Sequence, residues 1–144
     1  MSYVLYIPKK YILPQELVMK MVDAAISKAK ELDIKICIAI VDDGGNLSGF
    51  IKMNGANILP AQIAQTKAYA ALGFGLPTAD WYPMIKDNPA VLHGLVQADR
   101  MTFLGGGLPI FIEGELVGGI GVSGGTSEQD IECAQTALQV VKDH

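Results

Sequence analysis

The stretch "FLGGGLPIFIEGELVGGIGVSGG", residues 103–125, decides the fold, because it carries nine of the sixteen glycines in a chain of 144 residues. Glycine at this density either cradles a phosphate or lets backbone segments approach closely. Residues 109–112 and 115–122 read as strands, joined by Glu113-Gly114, a two-residue connection of the kind hairpins favour. Upstream, residues 100–104 read as the start of a further strand. Downstream, Thr126 followed by Gln129 has capping-box spacing, and Ile131, Ala134, Leu138 and Val141 form the apolar stripe of a last helix.

Two nucleotide motifs fail on their partners. Gly119, Gly121 and Gly124 spell GxGxxG between a strand and a helix. The dinucleotide fingerprint also needs an acidic residue about 20 positions on, at the end of another strand, and the sequence reaches His144 first. A phosphate loop would need a lysine where Gly125 stands. No nucleotide cofactor is expected. Two readings of the glycines stay open. Ser123, Gly124 and Gly125 precede a helix N-terminus, where free amides hold an anion or simply make a tight turn. Gly118, Gly119 and Gly121, inside a strand, imply close approach by another backbone or by a flat ligand.

Residues 14–32 place Leu17, Val18, Met21, Val22, Ala25, Ile26, Ala29 and Leu32 on a helical period. Residues 36–42 are a continuous apolar, largely β-branched run, Asp43-Gly44-Gly45 is a turn, and residues 46–53 make a second strand. That pattern is a hairpin whose first strand is buried on both faces. Residues 61–72 form an alanine-rich helix that stops at Gly73. Residues 73–89 hold three prolines and two glycines, so at most a turn or two of helix is expected there. Residues 90–99 read as a short helix. Hairpins without a repeating βαβ unit give an α+β fold: one domain over residues 1–144, with a five-stranded antiparallel sheet and helices packed on it.

Half of the residues are hydrophobic and 18% are charged, with a formal net charge of −4. That balance implies a large core or a buried subunit interface. No basic stretch follows a phosphate backbone, so nucleic acid is not an expected partner. The longest strongly apolar run, residues 36–41, is far below the roughly 20 residues that span a bilayer. The N-terminus lacks the order of a signal peptide, so no membrane association and a cytoplasmic location are expected. Cys37 and Cys133 read as small core residues.

Lys67 has Ile63, Ala64, Ala70 and Ala71 at helical spacings, which lays its stem on an apolar face. Either the ammonium snorkels to water or it is aimed at a ligand carboxylate. His93 is the only interior histidine, a structural residue or a ligand. No triad or metal-ligand set converges in the sequence. The carboxylates of Asp42 and Asp43 are explained by the hairpin turn.

The segments "IAIVDDGGNL", "AQTKAYAALGFGLPT" and "FLGGGLPIFIEGELVGGIGVSGGTSEQD" resemble the GlcG/HbpS family, called haem-degrading, which includes the C-terminal domain of PduO-type proteins. The likeness spans residues 14–141. It implies a profilin-like α/β/α domain with a five-stranded antiparallel sheet, homo-oligomers such as tetramers or octamers, and haem binding in some members. It also implies a haem-ligating histidine near the first helix, and residues 14–32 contain none. Met19 and Met21 offer thioethers there, although the period makes Met21 a core residue. Haem iron would then fall to His93.

The resulting expectation is a cytoplasmic, homo-oligomeric accessory protein of glycerol or propanediol utilisation that binds a small ligand, haem or a corrinoid. Lys67, His93, Gly121, Ser123 and Gly124 are its candidate binding residues, and His93 its candidate iron ligand. Two alternatives stand beside it: an enzyme on a small hydroxy or carbonyl compound using Lys67, and an assembly protein with no small ligand.

Overall fold

The β-branched run becomes Cys37–Asp42 (β1), a central strand paired on both edges, and its side chains from Cys37 to Val41 are buried because helices cover both faces of the sheet. The computed structural model describes residues 4–143; His144 lies outside them. Around β1 the chain order is Gln15–Glu31 (α1), β1, Leu47–Lys52 (β2), Leu59–Phe74 (α2), Trp81–Ile85 (α3), Pro89–Leu95 (α4), Gly107–Ile112 (β3), Glu115–Ser123 (β4) and Ser127–Lys142 (α5). The strands pair antiparallel in the order β2-β1-β4-β3.

Both turns owe their shape to local chemistry. The Asp42 carboxylate accepts from the backbone N–H groups of Gly44 and Asn46, each at 2.9 Å, which closes the β1–β2 turn. Asp43 pairs instead with Lys10 at 2.6 Å. Glu113 and Gly114 both have positive φ, 50° and 78°, as a two-residue hairpin turn between right-twisted strands requires. The expected capping box is present: Thr126 Oγ1 accepts from Gln129 N–H, and Gln129 Oε1 accepts from Thr126 N–H.

The two faces of the sheet differ. Directly opposed residues share a face, so Ala39, Gly107, Gly119 and Gly121 line one side and Ile38, Ile40, Leu108, Ile120 and Val122 the other. Helix α2 lies on the small side, where a Cβ added to Gly121 would stand 2.0 Å from the Ala64 carbonyl oxygen and one on Gly119 2.2 Å from that of Ala68. Helices α1 and α5 pack on each other and cover the bulky side.

The five-stranded, profilin-like sheet expected above is corrected to four strands among the described residues. Residues 100–104 do not pair. Arg100 takes the left-handed conformation, φ 55°, which breaks any extended run. The buried Thr78 hydroxyl then donates to the Leu104 carbonyl at 2.6 Å and accepts from Gly107 N–H at 2.9 Å. A side chain thus takes the backbone groups that a ladder would have used. The fold is α+β, with helices flanking both faces of the antiparallel sheet.

Candidate functional site

Four of the five sequence-derived candidates meet where α2, β4 and the start of α5 converge. Lys67 projects from the sheet-facing side of α2 and is only 3% exposed. Its ammonium donates to the Val122 carbonyl at 2.8 Å and to Asp130 Oδ2 at 3.1 Å. Asp130 is equally enclosed, and its Oδ1 accepts from Gly125 N–H at 2.9 Å. The free amides expected after Ser123 are therefore answered by the first turn of α5 itself. Burial draws the Lys67 ammonium below its ordinary pKa and the Asp130 carboxyl above its own, while the attraction between them opposes both shifts.

Gly121 admits the α2 backbone at this junction, Ser123 is buried, and Gly124, with φ 133°, turns where a Cβ would meet the Lys35 carbonyl. A ligand reaching Lys67 would have to displace Asp130. The sequence showed the odd placement of Lys67 but gave no sign of its partner 63 residues away.

His93 belongs to a different region. It is exposed on α4, a helix with no buried residue that packs against α3. Tyr82, Met84 and Val96 are exposed on and beside these helices. Trp81 of α3 meets Phe74 edge-on at 5.0 Å, and its indole N–H is buried without a hydrogen-bond partner among the described residues. Such an orphan donor is uncommon in a packed fold.

A third region went unnoticed in the sequence. Between α1 and β2 runs a groove made of two adjoining cavities, about 550 and 320 Å³, that share Ile26 and Ile51. Val18, Val22 and Gly49 continue its apolar wall, Lys30, Lys35 and Lys52 stand at one end, and Met19 at the other. Met19 is 66% exposed and Met21 fully buried, as their helical period required. The apolar period of α1 gave no sign of the groove, whose cations come from three separate segments.

Both cysteines are buried, and burial, with help from Asp130 and Glu132, pushes the Cys133 thiol up to about 11. No cluster of three or more His, Cys, Asp or Glu capable of holding a metal ion occurs among the described residues. No helix there is long and apolar enough to cross a membrane.

Several known proteins are similar to this chain. A 15.0 kDa uncharacterised protein from the dhaT-dhaS intergenic region of Citrobacter freundii is 36% identical over 121 residues, covering 83% of this chain and 84% of that one. The corrinoid adenosyltransferase PduO of the same organism is 35% identical over 121 residues, covering 82% of this chain but only 36% of PduO. The crystal structure described as a PduOC:heme complex superposes with a TM-score of 0.84 at 28% identity, covering 91% of this chain and 96% of that one. The family model described as "Haem degrading protein HbpS-like" matches residues 13–139, and the chain belongs to that family.

Proposed function

We propose that this chain is a ligand-binding accessory domain for a tetrapyrrole, haem or a corrinoid, working in the cytoplasm as a homo-oligomer beside glycerol or propanediol utilisation. The observation that carries this is the haem complex formed by a relative of the same fold over nine-tenths of the chain. The similarity to a corrinoid adenosyltransferase supports the corrinoid alternative.

The residues present fit such a group in two ways. The α1–β2 groove offers a flat apolar wall, with Lys30, Lys35 and Lys52 placed for propionate carboxylates and the Met19 thioether at the far end. The α3–α4 surface offers the stronger ligand, the His93 imidazole, beside exposed apolar side chains. The groove is the better cradle and His93 the better iron ligand.

Optical titration with haemin decides between them. A saturable Soret shift lost in His93→Ala assigns the iron to α4. A shift that survives there but is lost in Met19→Ala, and weakened in a Lys30, Lys35 and Lys52 triple alanine variant, assigns it to the groove. A free-haemin spectrum throughout, with cyanocobalamin also failing to bind, sinks the tetrapyrrole reading. The enzymatic alternative keeps one point in its favour, the lowered pKa of Lys67. It then requires Asp130 to swing away. Mass under native conditions tests the homo-oligomer.

A further inference from the structure

The Arg100 guanidinium is a cation that neither the core nor the tetrapyrrole reading uses. Arg100 follows α4 with φ 55°, a conformation non-glycine residues rarely hold without a reason. Its guanidinium lies over the Tyr69 ring, 3.5 Å from the centroid. Tyr69 is itself hemmed in by the β1–β2 turn, where a Cβ added to Gly45 would stand 2.6 Å from Tyr69 Cε2. The stack fixes the plane of the guanidinium.

This plane borders a cavity of about 300 Å³, lined by Asn46, Leu47, Gln62, Gln65, Tyr69 and Arg100 among others. Gln62, Gln65 and Tyr69 share one face of α2 by their spacing of three and four. Gln65 Nε2 donates to the Ala61 carbonyl at 3.2 Å, so its Oε1 is left as an acceptor. Asn46 Nδ2 is taken up by Asp42 at 3.2 and 3.3 Å. The carboxylate beside Arg100 is that of Asp99, whose Oδ2 lies 3.4 Å from Nε as an ion pair and which is 91% exposed, too wet to neutralise the arginine. The two terminal guanidinium nitrogens keep their donors.

The geometry points to a binding site for a small carboxylate that carries a neighbouring hydroxyl, with the carboxylate on the Arg100 terminal nitrogens and the hydroxyl donating to Gln65 Oε1. A planar two-oxygen anion matches the arginine fork, and the volume suits a ligand of a few carbons. Besides Arg100, the side chains lining the cavity that keep a donor among the described residues are the amides of Gln62 and Gln65 and the hydroxyl of Tyr69, all of them neutral. Nothing else there would favour a phosphate over a carboxylate. The site lies on the opposite side of the sheet from the α1–β2 groove, so it stands or falls independently of haem.

The test is titration of the haem-free, ¹⁵N-labelled protein with lactate, glycolate and acetate, followed in amide spectra. Saturable shifts at Gly45, Asn46 and the Gln65 side chain are expected, with lactate and glycolate binding several-fold tighter than acetate. Arg100→Gln should weaken lactate about tenfold or more, and Arg100→Lys should recover little of it, while both keep the wild-type melting temperature. Tyr69→Leu, which frees the guanidinium plane, should fall between them. The assignment is overturned if shifts appear elsewhere, if Arg100→Gln binds lactate as wild type does, if acetate or chloride matches lactate, or if no signal moves by tens of millimolar lactate.

Discussion

The two faces of the sheet solve the same packing problem with opposite means. On the α1/α5 side, Ile38, Ile40, Leu108, Ile120 and Val122 fill the space with side chains. On the α2 side, Gly107, Gly119 and Gly121 withdraw theirs, and the α2 backbone comes down almost onto the strand. The first face is held by side-chain volume, and isosteric changes there should be tolerated. The second is held by backbone proximity and is sealed at its end by one buried ion pair, so its tolerance is low where the first is generous. The glycine block therefore reports on architecture.

The largest effect is expected at that seal. Lys67→Met leaves Asp130 buried without its cation and should cost about 3–5 kcal/mol in urea unfolding. The sign of the pH dependence supports this. The folded pKa of Asp130 is raised, so its stabilising contribution is present below the ordinary carboxyl value and lost as pH rises through the folded one. That of Lys67 is lowered, so its contribution is present above the ordinary lysine value and lost as pH falls through the folded one. Near neutrality both groups pay for being charged, and only their mutual attraction offsets it. The double variant Lys67→Met with Asp130→Asn, which keeps an acceptor for Gly125 N–H, should therefore recover most of the loss. A single-variant loss below about 1 kcal/mol would show that water reaches this junction.

Next comes the glycine side itself. Gly121→Ala sets a Cβ against two backbone atoms, Ala64 O at 2.0 Å and Ala68 N at 2.6 Å, neither of which can rotate away. About 3 kcal/mol of destabilisation is expected, the upper end for overpacking. On the opposite face Ile40→Val should cost only about 0.5–1.5 kcal/mol. Equal losses at the two positions would break the contrast between the faces.

Much of this arrangement was legible beforehand. The 3.6-residue period located α1 and α5, alanine content located α2, which runs past Gly73 to Phe74, and of the two readings of the strand glycines the close backbone approach is the one that α2 supplies. What stayed hidden depended on contacts distant in sequence. Residues 100–104 have the composition of a strand, and only Thr78, 26 residues earlier, diverts the backbone of Leu104. Lys67 could be seen to be misplaced on an apolar face, but Asp130, an acid in the first turn of α5, lies 63 residues away with no local sign of the pairing. The Arg100–Tyr69 stack likewise joins segments with no local signature.

A smaller effect concerns the buried thiols. With a pKa of about 11, Cys133 holds roughly one thiolate in ten thousand molecules at pH 7. Cys37, also raised by burial, lies in the central strand. Neither should react with iodoacetamide in the native protein, and both should in urea, as read by intact mass. Labelling of Cys37 alone under native conditions would mean that the α2 face opens while the α5 face stays closed.

The smallest effect has the opposite sign and isolates the cause. Gly73 lies in α2, near its C-terminus, and a Cβ added there meets nothing within 4 Å. Its backbone is not in the left-handed region, so alanine is free of strain. Gly73→Ala should therefore stabilise the protein by about 0.4–1 kcal/mol, through the lower entropy of the unfolded chain and the better helix propensity of alanine. The same one-carbon change thus loses stability at Gly121 and gains it at Gly73, although both residues belong to the α2–β4 layer. Thermal melts of the two variants side by side would read this difference directly. If Gly73→Ala also destabilised, something would have to pack against that turn of α2 in solution, and the neighbouring Phe74, 61% exposed, would be the first place to look for a subunit contact.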